Sequence, residues 1–163
     1  MDNLVKIDNF TFENYARIIK SKDGKVLSVS PWFKNKVVLT DDCGRNLLLK
    51  ALTGQYLEPV GITHLEIGTG TTAATDNDDQ TETFAARGSL GYASAIATVA
   101  NFKFYLADAA LPDDDYTELT MWINGLAGEG TGYLFNRIVF ASTPYTKSAG
   151  DDTTVQVRLT LTG

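Results

Sequence analysis

Residues 67–79, IGTGTTAATDNDD, set glycines, threonines and acids directly after an apolar run, the order in which a phosphate cradle or an oxygen-rich metal loop is built. A phosphate loop of the G-x-x-x-x-G-K-[ST] kind needs a lysine to reach the phosphates and a helix to follow. Gly68 and Gly70 have no lysine nearby, and TTAATDNDD carries no amphipathic period. GEGTGY (128–133) fails in the same way, because it joins two strand-like runs. A calcium loop of the EF-hand type, counted from Asp76, needs glycine at its sixth place and glutamate at its twelfth. Those places hold Thr81 and Arg87. Asp76, Asp78 and Asp79 therefore read as turn residues, as do Asp113, Asp114 and Asp115 with Glu118, since Asp favours turns by bonding its own backbone. Cys43 and His64 are single residues of their types. A helix start can activate a thiol and a histidine can act as its base, but nothing in their spacing brings these two together. The expectation is a chain with no catalytic residues, no cofactor and no metal.

The elements that must position these residues are mostly strands. ARIIKSKDGKVLSVS reads as two β-prone runs around Asp23-Gly24, a dipeptide suited to the positive φ angles of a type I′ turn. KVVLT (36–40) follows as a short strand. The period then changes once: DDCGRNLLLKALTG places Leu47, Leu48, Ala51 and Leu52 at helical spacing. Asp41 or Asp42 would cap this helix, about 42–53, and Gly54 would end it, with Leu48 and Leu52 in the buried stripe. THLEI (63–67) reads as a strand running into the glycine-threonine loop. LGYASAIATVANFKFYLA contains at least two strands, with Phe102, Phe104 and Leu106 on one face. TELTMWIN alternates, GYLFNRIVFA is apolar on both faces as a covered central strand would be, and TTVQVRLTLT points Val155, Val157, Leu159 and Leu161 inward. About seven to nine short strands with turns between them predict a mainly β fold, an antiparallel sandwich or barrel with one amphipathic helix. At 163 residues, a single β-rich domain (1–163) is expected, with residues 1–32 as an N-terminal arm or hairpin and 33–163 as its core.

Charge narrows the partners. The net charge is −6, with nine Lys/Arg against six Asp/Glu in residues 1–50 and five against fourteen in residues 51–163. An acidic body argues against nucleic acid, whose phosphates need a basic face. The split itself reads as solvated surface or as a polarised module that stacks head to tail. MDNLVKIDNF lacks the charged-then-apolar plan of a signal peptide, and no run approaches the roughly 18 apolar residues of a membrane span. One cysteine excludes an internal disulfide. Folding in a reducing cytoplasm, with no membrane partner, is the expectation.

Three stretches, in order, resemble a family of bacteriophage tail proteins found in tail fibres and baseplates of tailed phages. They are FKNKVVLTDDCGRNLLLKALTG (33–54), ITHLEIGTGTTAATDNDDQTETFAARG (62–88) and residues 117–163, which open on TELTMWING and pass through YLFNRIVF. Gly68, Gly70, Arg87, Glu118 and Arg137 stand at positions that the family pattern also fills. The resemblance implies a non-enzymatic virion component, assembled in the host cytoplasm, that packs against copies of itself and neighbouring tail or fibre proteins. The chain is shorter than the long-fibre members and carries no repeats, which suits a baseplate or fibre-base adaptor.

The stretch 68–88, long and without a period of its own, is the part expected to reach a neighbour. The assembly contacts expected are Gly68, Thr69, Gly70, Thr71, Thr72, Asp76, Asp78 and Asp79, together with Trp32 and Trp122. A capsid decoration or head-fibre protein is the alternative within a virion. A carbohydrate-binding β-sandwich, with a host-surface glycan as partner, is the alternative outside it. That last reading requires Trp32 or Trp122 to lie exposed beside polar residues in a shallow groove.

Overall fold

Asp23 and Gly24 take φ angles of 49° and 74°, so the dipeptide turns the chain between two antiparallel strands as its sequence predicts. These strands are β1 (Thr11–Lys22) and β2 (Lys25–Val29). The structure is a computed structural model that describes residues 11–39 and 43–162. The short strands β3 (Phe33–Lys34) and β4 (Lys36–Val37) lead into helix α1 (Gly44–Leu52). There follow β5 (Ile62–Gly68), β6 (Phe84–Ile96), β7 (Val99–Leu106), β8 (Asp115–Tyr116), β9 (Glu118–Ile123), β10 (Tyr133–Val139), β11 (Tyr145–Thr146) and β12 (Asp152–Thr162). Four of these are two-residue strands, leaving eight longer ones among the described residues.

Ten strands form one antiparallel sheet in the order β2-β1-β12-β7-β6-β5-β9-β10-β4, with β3 also paired to β1, and it curls into a half-barrel. The mainly β fold with a single helix is as expected. β1 runs beside β12 from Thr11↔Thr162 to Ser21↔Asp152, so the amino-terminal hairpin is stitched to the last strand rather than standing apart. Alternation then sorts the faces. Ala16, Ile18, Phe104, Leu106, Val155 and Val157 line the concave side and are buried, while Arg17, Lys103 and Gln156 point outward between them. The second half of the sheet is covered on both faces: all six residues of β9 are buried, as are Leu134 to Ile138 of β10.

The helix forms where its leucines predict but turns a different face to the sheet. Leu47 is fully buried and Leu48 half-buried, whereas Leu52 is 84% exposed. At about 100° per residue, Leu52 lies roughly 140° around the axis from Leu47, so the side that docks on β10 through Leu47 turns Leu52 to solvent. Gly54 ends it in a Schellman turn at φ 72°, with Gln55 N donating to Lys50 O at 2.8 Å and Gly54 N to Ala51 O at 3.2 Å. Cys43 occupies the N-cap without a side-chain cap bond; the expected caps Asp41 and Asp42 fall outside the described residues.

Candidate functional site

β5 delivers the chain to Gly68 at the buried end of the sheet, and the loop 69–83 folds back over that end before β6 begins at Phe84. The expected long loop is thus shorter at its far end, because residues 84–88 are strand. Its glycines are required by proximity. A Cβ on Gly68 would stand 2.2 Å from Thr83 O, and one on Gly70 2.5 Å from Glu118 Oε1. The carboxylate of Glu118, wholly buried on β9, fills the concavity. It accepts from Gly70 N at 3.0 Å, Thr83 N at 2.7 Å, Glu82 N at 3.1 Å and Arg137 Nε at 3.0 Å. A ring of backbone N–H groups around an anion is the geometry of a phosphate nest. Here the anion is the protein's own side chain.

Arg137, on β10, spreads its fork across the loop. It reaches Asp78 Oδ2 at 3.1 Å, Glu82 Oε2 at 2.6 Å and Thr72 O at 3.0 Å, besides Glu118. Burial pushes the Asp78 carboxyl up, but the Thr75 amide and hydroxyl and Arg137 outweigh it and hold the group below the usual carboxylate range. Glu82 is lowered by the Thr72 hydroxyl and amide, with Arg137 adding to them. Asp76 lies at 3.5 Å from Lys36 and 3.6 Å from Arg45, and its carbonyl accepts from Leu39 N at 2.8 Å. Thr69 N closes the loop's base on Thr83 O at 3.0 Å. Thr71 and Asp79 face outward.

A second ionic pair lies alongside. Glu66 of β5 is wholly buried and binds Arg87 of β6, the Thr81 hydroxyl and Gly130 N, the last at 2.9 Å. Thr81 and Thr120 share a hydroxyl contact of 2.7 Å, and Trp122 Nε1 donates to Thr120 Oγ1 at 3.0 Å. The guanidinium of Arg87 stands 5.2 Å over the Trp122 ring and also donates to Thr131 O at 2.6 Å. Trp122 is therefore a member of the interior, only 2% exposed, and cannot make the outward contact expected of it. Its strand is buried on both faces, so strict alternation gave the wrong side. Trp32 is 37% exposed.

The remaining sequence candidates disperse. Cys43 packs with Val38, Trp122 and Leu134, whereas His64 meets the hydroxyl of Thr63 at 3.1 Å. Burial and the nearby Arg87 charge lower the His64 pKa. Among the described residues no hydrogen bond joins the two. Asp113 holds Lys147 Nζ at 2.8 Å and Asp108 holds it at 2.6 Å, so Asp113 serves a different cation from Glu118, with which the sequence grouped it and which binds Arg137. Glu66 escaped the sequence reading. Its signal is a charge set within the apolar run of a strand, as Glu118 and Arg137 also are.

No family model, curated protein or solved structure matches the chain.

Proposed function

We propose that this chain is a non-enzymatic structural component of a tailed-phage virion, a tail, baseplate or fibre-base adaptor that assembles with copies of itself and with neighbouring tail proteins. The observation that carries this reading is the meeting of the motif residues. Gly68, Gly70, Glu118 and Arg137, which bear the resemblance to tail proteins, converge on one buried ionic knot, with Arg87 in the pair beside it. Their polar groups are spent on one another, so the motif serves to lock a loop across the end of a half-barrel. A pattern of that kind suits a family defined by shape more than by a reaction.

The sheet's open edge fits the same role. Every residue of β2 is exposed, with Val26 at 63% and Leu27 at 55%, and its outer edge carries no further strand among the described residues. An unpaired edge with apolar side chains is a site for adding a neighbouring strand during assembly. Particles separated into heads and tails and analysed by quantitative mass spectrometry test the proposal. The expected result is this chain in the tail fraction at a fixed multiple copy number. Recovery with heads would favour capsid decoration, and absence from both fractions would contradict the virion reading.

A further inference from the structure

The outer face of β1, β12, β7 and β6 carries side chains for which the fold has no evident use. Cross-strand register sets Arg17, Gln156, Lys103 and Tyr92 in one row, and Arg158, Asn101 and Ser94 in the next. Trp32 arrives from the segment after β2 and lies over both rows, its ring 4.5 Å from the Arg17 guanidinium and 5.1 Å from that of Arg158. Lys103 Nζ stands 5.5 Å from the Tyr92 ring, and Arg17 Nε donates to Gln156 Oε1 at 2.8 Å. Between these groups runs a groove of about 240 Å³ with no carboxylate in its lining. Arg87, Arg137 and Lys147 are each held by carboxylates; Arg17, Lys103 and Arg158 form no ion pair among the described residues. Three cations without a carboxylate partner among the described residues, gathered on one face in a chain of net charge −6, offer a site for an anion from outside.

We propose that this groove binds an acidic saccharide. Sugar rings present C–H faces that pack on aromatic rings, and Trp32 and Tyr92 remain 37% and 53% exposed at the groove. Guanidinium forks match a carboxylate in two parallel hydrogen bonds, which places a uronate or sialate carboxyl at Arg17 and Arg158. The amides of Gln156 and Asn101 offer both donors and acceptors to ring hydroxyls. The volume lies below the roughly 300–1,000 Å³ of drug-sized pockets and suits a short saccharide unit. A nucleic acid strand also seeks cations and rings, but its dense phosphates would meet the field of an acidic protein beyond this small patch. A sugar acid carries one charge per residue or fewer among neutral hydroxyls, so most of its length avoids that repulsion. This inference stands independently of the virion reading.

Calorimetric titration of the whole chain tests it with trigalacturonate, a hyaluronan tetrasaccharide and sialyllactose as acidic probes. Galactotriose, hexathymidylate and polyglutamate serve as comparators. Saturable binding of at least one acidic saccharide is expected, with quenching of the exposed Trp32 fluorescence. Arg158→Gln and Trp32→Leu are each expected to weaken it by about tenfold or more, the scale of losing a charge-assisted bond, with thermal midpoints unchanged. Failure of all three acidic probes, or equal binding of galactotriose, would overturn the proposal. So would tighter binding of hexathymidylate or polyglutamate, the latter marking the face as a protein-docking surface. Full affinity in both variants would equally overturn it.

Discussion

Arg137 ties the loop 69–83 to the buried end of the sheet. Three carboxylates and a carbonyl converge on a guanidinium whose side chain is only 4% exposed. Removing one partner from a buried ionic group leaves the others desolvated without compensation, at a cost of about 3–5 kcal/mol. Arg137→Ala is therefore expected to lower unfolding free energy by about that amount in urea titrations, and Arg158→Gln, exposed on the convex face, by about 0.5 kcal/mol or less. Comparable losses from both would contradict the picture of a knotted interior. The same knot sets a pH dependence. Asp78 and Glu82 are held below their ordinary values of 3.8 and 4.5, so the unfolded chain takes up protons first as the pH falls. Their stabilisation is complete above those ordinary values and is lost as pH falls through the lower folded ones. His64, lowered from 6.5, acts in the same direction at higher pH. Thermal midpoints are expected to drop as the solution is acidified below about 4.5, more steeply in the parent than in Asp78→Asn. Identical acid profiles for the two would remove Asp78 from the network.

At the scale of elements, the sequence was most legible where a local rule acts alone. The Asp23-Gly24 turn, the Gly54 helix stop and the burial of Val155 and Val157 on β12 follow from backbone sterics and from a period of two, whereas Leu159 and Leu161, nearer the strand's end, are only partly covered. Legibility failed where tertiary packing decides. The helix presents five apolar side chains around much of its circumference, and its docking on β10 selects Leu47 over Leu52. Leu47→Ala is accordingly expected to cost about 2–5 kcal/mol, and Leu52→Ala about 0.5 kcal/mol or less. Equal effects in chemical denaturation would mean that the helix docks by another face. Trp122 misled for a related reason: alternation marks one face as outward only when the other side of the sheet is open to water, and β9 is covered twice. The glycine-threonine loop was legible as a turn, because the missing lysine excluded a phosphate loop. That it closes on Glu118 was hidden, since the contact joins residues 48 positions apart.

For the whole molecule, the half-barrel is a fold completed at one end and open at an edge. The loop 69–83 closes the end internally: the amides of Gly70, Glu82 and Thr83 bind Glu118, and Thr72, Asp78 and Glu82 bind Arg137, while Thr71, Ala73, Asn77, Asp79 and Gln80 are exposed. A loop so committed works as a strut, and deleting it would strip partners from both ionic groups. Assembly contacts are then better sought at β2, whose apolar side chains face water on a strand with one unpaired edge among the described residues. A reconstruction of the intact tail by electron cryomicroscopy tests this most directly. Copies of this half-barrel related by the symmetry of the tail are expected, each with its β2 edge buried against a neighbouring chain. A well-resolved tail that contains no such half-barrel would refute the proposed tail role, and one that contains it with β2 fully solvated would refute assembly through that edge.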